Sequence, residues 1–344
     1  MSGVGVTVDD HRENRIWRTT GRVLLALVLV LGAVAGIRVS TLWLDSRGTP
    51  AGWARSTGDD AMWLGHAWVD GRRSAADVRR LAARLRGTGI RDLFVHVGPL
   101  KRDGALPASR HPAARAFLDA AHRYLRGVRV SAWLGQRVDD GYDLAAAATR
   151  HATAAAAGRL VHDGFDGIHY DFEPVSSGDP GLPALLRETR PVLRGRPLSV
   201  SVPQLEPVPG VRLPLHLVAG HDRYWTAGYL TEVARACDQV ALMVYDSAMP
   251  TSSLFAGYVA DQTRRVASAV PARTALLVGV PAYHDTTVTH RPGAETVAAG
   301  ARGVRLGLAA YGHPRPHTGV ALYVDFAATE RDWRQYRGGW VRPR

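Results

Sequence analysis

Eight alternations of a short apolar segment with a longer segment of helical character run from Ala61 to the end of the chain. The short segments are rich in β-branched and aromatic residues, as buried strands are, and the longer ones repeat apolar residues at helical spacing. Eight such units over about 280 residues match the size and order of a (β/α)8 TIM barrel. A doubly wound open sheet is the alternative, but it usually has fewer strands and a glycine-rich loop after the first. No such loop follows Trp68, so we predict an α/β protein with a (β/α)8 barrel.

The eight predicted strands are Met62–Trp68, Asp92–Val97, Val128–Leu134, Gly167–Glu173, Leu198–Val202, Gln239–Asp246, Ala275–Val280 and Gly319–Phe326. A barrel of this kind builds its functional site at the carboxyl ends of the strands. We therefore expect the chemistry to lie in the residues that end or follow these strands.

The first 60 residues differ in character from the rest of the chain. Residues 1–22 are polar and carry four arginines, and Val23–Ile37 is an uncharged apolar run. A basic segment before an apolar one is typical of chains whose N-terminus stays in the cytoplasm while the rest is exported. Because a membrane span needs about 20 residues, we extend the segment through Arg38, whose side chain would reach the interface, to Leu44.

These features give the predicted domain organisation. Residues 1–22 are a basic cytoplasmic leader, 23–44 a transmembrane or signal-anchor helix, 45–60 a linker rich in small and polar residues, and 61–344 the barrel. We expect a single-pass membrane protein with its barrel outside the cytoplasm. Ala33-Val34-Ala35 also resembles a signal peptidase site, so secretion after cleavage near Ala35 is the alternative.

Composition excludes several other classes of protein. Cys237 is the only cysteine, so the chain has no intramolecular disulfide and no cysteine-rich metal site. The net charge of +12 comes almost wholly from arginine, and it favours anionic surfaces such as phospholipid head groups or acidic wall polymers. No RNA-binding signature or zinc-finger spacing is present, so we predict no nucleic-acid partner, no cofactor and a monomer.

The fourth predicted strand carries three ionisable residues at alternate positions. His169, Asp171 and Glu173 project from one face because side chains alternate along a strand, and Pro174 ends the strand. Three such groups on an otherwise apolar segment indicate a site. Further aromatic and polar residues end or follow the other strands: His66, Trp68, His96, Trp133, Gln136, Gln204, Tyr245, Asp246, Tyr283, His284, Tyr323 and Asp325.

Three motifs resemble those of glycoside hydrolase family 18, the family of chitinases and endo-β-N-acetylglucosaminidases. Asp166–Glu173 is similar to the Asp-x-x-Asp-x-Asp-x-Glu signature of its fourth strand and retains three of the four acidic positions. Gln239–Asp246 is similar to the Met-x-Tyr-Asp element of the sixth strand, and Gly279–Tyr283 to the Gly-x-Pro-x-Tyr element of the seventh. The motifs occur in the family's order, so the resemblance covers residues 61–340.

The resemblance implies a retaining glycosidase that cleaves β-linked N-acetylhexosamine glycans. In this family the acetamido carbonyl of the substrate is the nucleophile. Glu173 would be the general acid and base, Asp171 would orient the acetamide and stabilise the oxazolinium ion, and Tyr245 would hydrogen-bond the acetamide oxygen. The remaining predicted contacts to the substrate are His169, Asp246, Met243, Trp68, His96, Trp133, Gln204, Tyr283 and Tyr323, with no metal ligands.

Two departures from the family pattern bear on this prediction. His169 stands where the family has an Asp, so Asp171 would gain a hydrogen-bond donor or a cation as its neighbour. Tyr323 replaces the Trp that usually floors the sugar subsite. Three alternatives remain open: a non-catalytic carbohydrate-binding barrel, a metal-dependent hydrolase that uses His169, Asp171 and Glu173 as ligands, and a cell-surface scaffold.

Overall fold

The structure, a computed structural model, describes residues 25, 29, 32–208, 210, 220 and 222–343. Eight parallel strands pair in chain order and close between the first and the last into a barrel. This confirms the predicted barrel and excludes an open sheet. The strands are β1 Asp60–Leu64, β2 Ile90–Pro99, β3 Arg129–Arg137, β4 Gly167–Glu173, β5 Leu198–Val202, β6 Gln239–Met243, β7 Ala275–Pro281 and β8 Thr318–Tyr323.

An α-helix follows each strand and packs on the outside of the barrel. Several helices begin at a threonine whose hydroxyl accepts a hydrogen bond from a backbone N–H of the first turn, as at Thr226, Thr251 and Thr296. The helices are α1 Ala75–Leu85, α2 Ala114–Tyr124, α3 Ala147–His162, α4 Gly181–Thr189, α5 Ala227–Ala236, α6 Ser252–Ala269, α7 Val297–Tyr311 and α8 Glu330–Tyr336.

Three strands end earlier than predicted. β1 stops at Leu64, because Gly65 is followed by a 3-10 turn at His66–Trp68. β6 stops at Met243 and β8 at Tyr323, three residues before their predicted ends at Asp246 and Phe326. The side chains beyond these points therefore lie on loops and do not follow the alternation of a strand.

Residues 32–46 are helical, and the second half of this N-terminal helix packs on α6. Arg38 is 2.5 Å from Asp261, and Leu42, which is only 3% exposed, lies against Gly257. Contacts of residue 38 with 261 and of residue 42 with 257 mean that the two helices are antiparallel. Arg38 and Leu42 of the predicted span thus contact the barrel, whereas Val39, Trp43 and Leu44 are exposed, and the C-terminal limit of the span stays a prediction.

The earlier part of the predicted membrane segment is only partly described. Residues 23, 24, 26–28, 30 and 31, like the leader at 1–22, lie outside the described residues. No helix within the described part of the chain is long and apolar enough to cross a membrane.

The segment predicted as a linker, 45–60, makes defined contacts with the barrel. Arg302 and Arg305 of α7 donate hydrogen bonds to the carbonyls of Ser46 and Ala54, at 3.0 and 2.8 Å. The Ser56 hydroxyl donates to Asp60, and its N–H to the carbonyl of Trp340 at 3.1 Å. The composition of residues 45–60 predicted a linker, whereas these contacts hold part of the segment against the barrel.

Candidate active site

A cavity of about 670 Å³ opens at the carboxyl ends of the strands. It is lined by eight of the twelve predicted site residues: Asp171, Glu173, Gln204, Met243, Tyr245, Asp246, Tyr283 and Tyr323. Two cis peptide bonds, Glu173–Pro174 and Tyr323–Val324, lie at the ends of β4 and β8 beside it. The sequence therefore located the cavity, and the roles of its residues remain predictions.

Asp171 has hydrogen-bond donors at its carboxyl group, but one of its two oxygens receives no hydrogen bond from the described residues. The Trp133 indole N–H donates to Oδ2 at 3.0 Å, and the Ser201 hydroxyl also hydrogen-bonds this carboxyl. Oδ1 is buried, and none of the described residues donates a hydrogen bond to it. Burial raises the pKa of Asp171 to about 6, against the opposing effect of the Ser201 and Trp133 hydrogen bonds. One carboxylate oxygen is thus left for a ligand that carries a donor.

Glu173 ends β4 two residues further on, with its side chain exposed to the cavity. Burial of the carboxyl at the cavity floor, followed by the negative charges of Asp171 and Asp246, raises the pKa of Glu173 to about 8. Both effects favour the protonated form of Glu173, which is the form that a general acid requires.

His169 does not reach the cavity, contrary to its prediction as a substrate contact. It is fully buried inside the barrel, where its ring stacks on Phe94 with a centroid separation of 3.8 Å. Nδ1 is 2.9 Å from the Ser199 hydroxyl, and Nε2 is 3.0 Å from both the Trp63 indole nitrogen and the Ser201 hydroxyl. Burial lowers the pKa of His169 to about 3, so it is neutral. Its ring nitrogens face Trp63, Ser199 and Ser201, so it gives Asp171 neither the hydrogen-bond donor nor the cation that was expected.

Three tyrosines form one wall of the cavity. The rings of Tyr245 and Tyr323 are stacked with centroids 5.0 Å apart, and Tyr283 meets Tyr323 edge to face at 5.7 Å. Gln204, which also lines the cavity, supports this wall by donating a hydrogen bond to the Tyr245 carbonyl at 2.9 Å. Burial raises the pKa of Tyr245 well above its usual value, so its hydroxyl stays a hydrogen-bond donor.

Asp246 is positioned by a second carboxylate that the sequence did not reveal. Glu295, fully buried, accepts hydrogen bonds from the backbone N–H groups of Asp246 and Ser247, at 2.8 and 3.0 Å. The Tyr283 hydroxyl donates to Asp246 Oδ1 at 2.7 Å, and His290 is 3.1 Å from Glu295. This network holds the loop after β6 so that the Asp246 side chain lines the cavity.

The other three predicted contacts lie outside the cavity lining. Trp68 points outward from its 3-10 turn and donates to Asp325 at 2.7 Å. His96 packs between Trp133 and His66, and burial lowers the pKa of His96 to about 4. Trp133 acts on the site through its hydrogen bond to Asp171 and through an edge-to-face contact with Tyr323, with ring centroids 6.3 Å apart. None of the three ends its strand as predicted, because Trp68 lies beyond β1 and His96 and Trp133 lie within β2 and β3.

The geometry does not favour the metal-site alternative. Both ring nitrogens of His169 are engaged inside the barrel, so it cannot join Asp171 and Glu173 around an ion. Within the described chain, the candidate cluster of three ligands is Asp246, His290 and Glu295. Glu295 already accepts from two backbone N–H groups and the Ser247 hydroxyl, so its oxygens serve the loop.

Several cavity residues escaped the sequence analysis because they lie on loops or, as Arg137 does, at the end of a strand that was predicted to stop at Leu134. Arg137, Arg223 and Asp285 carry charge into the lining, and Phe326 stands at its edge with 69% of its surface exposed. Phe326 was predicted as the last residue of the eighth strand, but β8 ends at Tyr323, so its exposure had no sign in the sequence.

The fold and the cavity together define a closed (β/α)8 barrel with paired carboxylates at the carboxyl end of β4. No protein-family model matches the chain, and no curated protein matches its sequence.

Solved structures do share the fold. The spore cortex-lytic enzyme SleL of Bacillus cereus superposes with a TM-score of 0.57 at 16% identity, over 85% of this chain and 76% of that one. The C-terminal domain of a putative chitinase from Desulfitobacterium hafniense gives 0.56 at 12% identity, over 81% of this chain and 98% of that domain. A chitinase from Rhizomucor miehei gives 0.51 at 15% identity, over 83% and 100%. At these identities the comparisons establish a common barrel, which is the fold that the three motifs predicted.

Proposed function

We propose that this protein is a retaining glycoside hydrolase that cleaves β-linked N-acetylhexosamine glycans with Glu173 as general acid and base. The observation that carries the proposal is the pair Asp171 and Glu173, which share a cavity and have raised pKa values and distinct surroundings. The chitinases and the spore cortex-lytic enzyme with the same barrel support this choice of reaction.

The proposed reaction uses the groups as they lie. Glu173, protonated at neutral pH, gives its proton to the glycosidic oxygen as the bond to the leaving sugar breaks. The acetamido carbonyl oxygen of the substrate attacks the anomeric carbon and forms an oxazolinium ion. The free Oδ1 of Asp171 accepts the acetamide N–H and stabilises the positive charge, while the Tyr245 hydroxyl donates to the acetamide oxygen. Glu173, now ionised, takes a proton from the water that opens the ring.

The test is hydrolysis of 4-methylumbelliferyl N-acetylglucosaminides of increasing length by the full chain. We expect release by the wild type and a loss of about 10²-fold or more in kcat for Glu173→Gln, which keeps the shape of the side chain but cannot supply a proton. Glu206→Gln, a substitution of another glutamate outside the cavity lining, serves as control and retains activity. If the wild type released no more than Glu173→Gln on any substrate while still binding the sugars, the barrel would be a binding protein.

We also propose that the barrel works outside the cytoplasm, held by the apolar segment that precedes it. The side chains of Leu25, Leu29 and Ile37 are each at least 60% exposed, which in water would be unfavourable. Carbonate extraction of membranes from cells expressing the full chain tests this idea. Recovery of the protein in the soluble fraction with its N-terminus intact would refute it.

A further inference from the structure

A second concave surface runs between the first and the last helix of the barrel. This groove, of about 800 Å³, lies between α1 and α8. Four arginines line it: Arg73, Arg80, Arg84 and Arg337. We call it the arginine groove.

Positive charge is concentrated on the two segments that form the groove. Residues 70–86 and 330–342 contain ten arginines and four acidic residues, an excess of six. Thirty residues thus carry half of the chain's net charge of +12. A surface with an excess of one sign of charge raises the local concentration of ligands of the other sign.

Three of the four guanidinium groups lie over aromatic rings. Arg84 and Arg337 lie 5.5 and 5.8 Å from the ring centroid of Trp333, and Arg73 lies 5.6 Å from that of Trp68. Such cation–π contacts fix the planar groups in place without consuming their hydrogen-bond donors. A guanidinium held in this way is suited to bidentate binding of a carboxylate.

Three carboxylates, Asp77, Asp325 and Glu330, also line the groove and leave its four arginines with a net charge of +1. Asp77 is 2.6 Å from Arg80 and 3.5 Å from Arg73, and Glu330 pairs with Arg84 at 2.5 Å. Arg337 instead donates to the carbonyl of Arg84 at 2.7 Å. The Arg84–Glu330 pair is exposed to solvent on both sides, where such contacts contribute about 1 kcal/mol or less. An anionic ligand can therefore compete with Glu330 for Arg84, whereas Asp77 stays in place through its hydrogen bonds with Ser74.

The groove begins where the catalytic cavity ends. Asp325 accepts hydrogen bonds from the Gly65 N–H and the Trp68 indole N–H, both at 2.7 Å, and so ties the loop after β8 to the loop after β1. Phe326, the next residue in the loop after β8, lines the cavity, whereas Asp325 and Trp68 line the groove. A polymer that leaves the cavity over Phe326 meets the arginines next.

We propose that the arginine groove binds the carboxylate-bearing part of an acidic glycan whose N-acetylhexosamine unit occupies the catalytic cavity. This inference rests on the proposed function and specifies its substrate as a polymer with carboxylates along the chain. The partner is a chain and not a membrane, because the groove is concave between two helices and a flat bilayer does not follow its surface.

The test compares acidic and neutral oligosaccharides as ligands of the full chain. Fluorescent hyaluronan oligosaccharides, in which N-acetylglucosamine alternates with glucuronate, are titrated beside neutral N-acetylglucosamine oligomers of equal length. We expect the double variant Arg80→Glu/Arg337→Glu to bind the acidic ligand about tenfold more weakly, since two attractive charges become repulsive. The salt dependence between about 50 and about 300 mM NaCl should fall with it, and the affinity for the neutral ligand should stay within about twofold.

The control is Arg159→Glu/Arg187→Glu, which makes the same change of charge at exposed positions on α3 and α4. Equal weakening in the control would mean that net charge alone attracts the ligand and would overturn the proposal, as would unchanged binding in the groove variant. A loss confined to anionic phospholipid vesicles would assign the groove to membranes and overturn it too. The milder pair Arg80→Gln/Arg337→Gln replaces the reversal if that variant does not fold. Binding without hydrolysis by the wild type would contradict the proposed function and leave the groove as a glycan site.

Discussion

His169 has its protonation state fixed by its neighbours inside the barrel. An indole N–H can only donate, so Nε2, which faces the Trp63 indole at 3.0 Å, must accept and carries no hydrogen. Nδ1 then holds the hydrogen and donates to Ser199. The Ser201 hydroxyl, with a single hydrogen, faces two acceptors, Nε2 of His169 and the Asp171 carboxylate. Ser201 is therefore the link through which His169 affects Asp171.

The first prediction is a bell-shaped dependence of kcat/KM on pH. Asp171 must be ionised, so activity falls as the pH drops below its raised pKa of about 6. Glu173 must be protonated, so activity also falls as the pH rises through about 8. Hydrolysis of a fluorogenic substrate across this range measures both limbs, which belong to the coupled pair. Constant activity from pH 7 to pH 10 would contradict the assignment of Glu173 as acid.

A matched pair of serine variants tests how the acidic limb is set. The hydrogen bond from Ser201 lowers the pKa of Asp171, so Ser201→Ala should move the acidic limb to higher pH. Ser199→Ala removes only the other partner of His169 and should leave that limb in place. If the two variants behaved alike, the effect would come from the barrel interior as a whole and not from Ser201.

For single residues, the sequence predicted the face of β4 from which each side chain projects, but not how deep inside the barrel the side chain lies. Alternation on β4 correctly gave His169, Asp171 and Glu173 a common face, which is the inner face of the barrel. The inner face has layers, however, and His169 lies in a lower one because Trp63 of β1 and Phe94 of β2 surround it. Which residues of distant strands share a layer depends on the stagger of the closed sheet, and the sequence of one strand does not contain that information.

Among the elements, the N-terminal helix depends on the absence of a side chain on α6. A Cβ at position 257 would lie 1.8 Å from the Leu42 carbonyl oxygen, so only glycine permits this approach. The sequence could not indicate the contact, since Arg38 and Leu42 fit an interfacial helix end as well as a docked one. The Asp261 partner of Arg38 lies more than 200 residues away.

The second prediction is that Gly257→Ala releases the N-terminal helix from the barrel. Overpacking of this kind costs about 1–3 kcal/mol, and undocking relieves it. We expect faster tryptic cleavage after Arg38 and Arg47, followed by electrophoresis and mass spectrometry, while the barrel stays folded. Gly228→Ala on α5, where nothing lies within 4 Å of the new methyl group, is the control and should not change the cleavage rate. Unchanged cleavage in Gly257→Ala would show that the helix does not depend on this contact.

At the scale of the whole molecule, one buried carboxylate links the first and the last strand of the barrel. Asp60 begins β1 and accepts hydrogen bonds from the Val320 N–H of β8 and the Trp340 indole, both at 2.7 Å. The Tyr336 hydroxyl donates to its other oxygen at 2.8 Å, beside the Ser56 hydroxyl. Closure of the sheet and attachment of the C-terminal segment thus share one acceptor.

The third prediction is that Asp60→Asn destabilises the protein by about 2–4 kcal/mol. The amide NH2 would face buried donors, and each donor left without an acceptor costs about 1–3 kcal/mol. Thermal unfolding followed by circular dichroism measures the change. Asp59→Asn, which alters the partly exposed neighbour, should shift the midpoint far less. Equal shifts in the two variants would mean that Asp60 has no special part in closure.

The order of strands and helices was readable from the sequence because each unit repeats the same apolar pattern. The closing contacts were not, because Asp60 looked like the last residue of a polar linker. Its partners at positions 320, 336 and 340 come from the far end of the chain. Long-range pairing of polar groups leaves no local pattern, and this limits prediction at the scale of the molecule.

The antiparallel packing of the N-terminal helix on α6 sets where the chain leaves the barrel. α6 runs from the cavity end of the barrel toward the opposite end, as the helices of this fold do. Residue 32 therefore lies toward the end of the barrel that is opposite the cavity. With 18 residues, α6 spans about 27 Å. If the N-terminus is attached to a support, the barrel separates the cavity mouth from that support by about this length. The cavity mouth then faces away from the support and is open to polymers that remain at a distance from it.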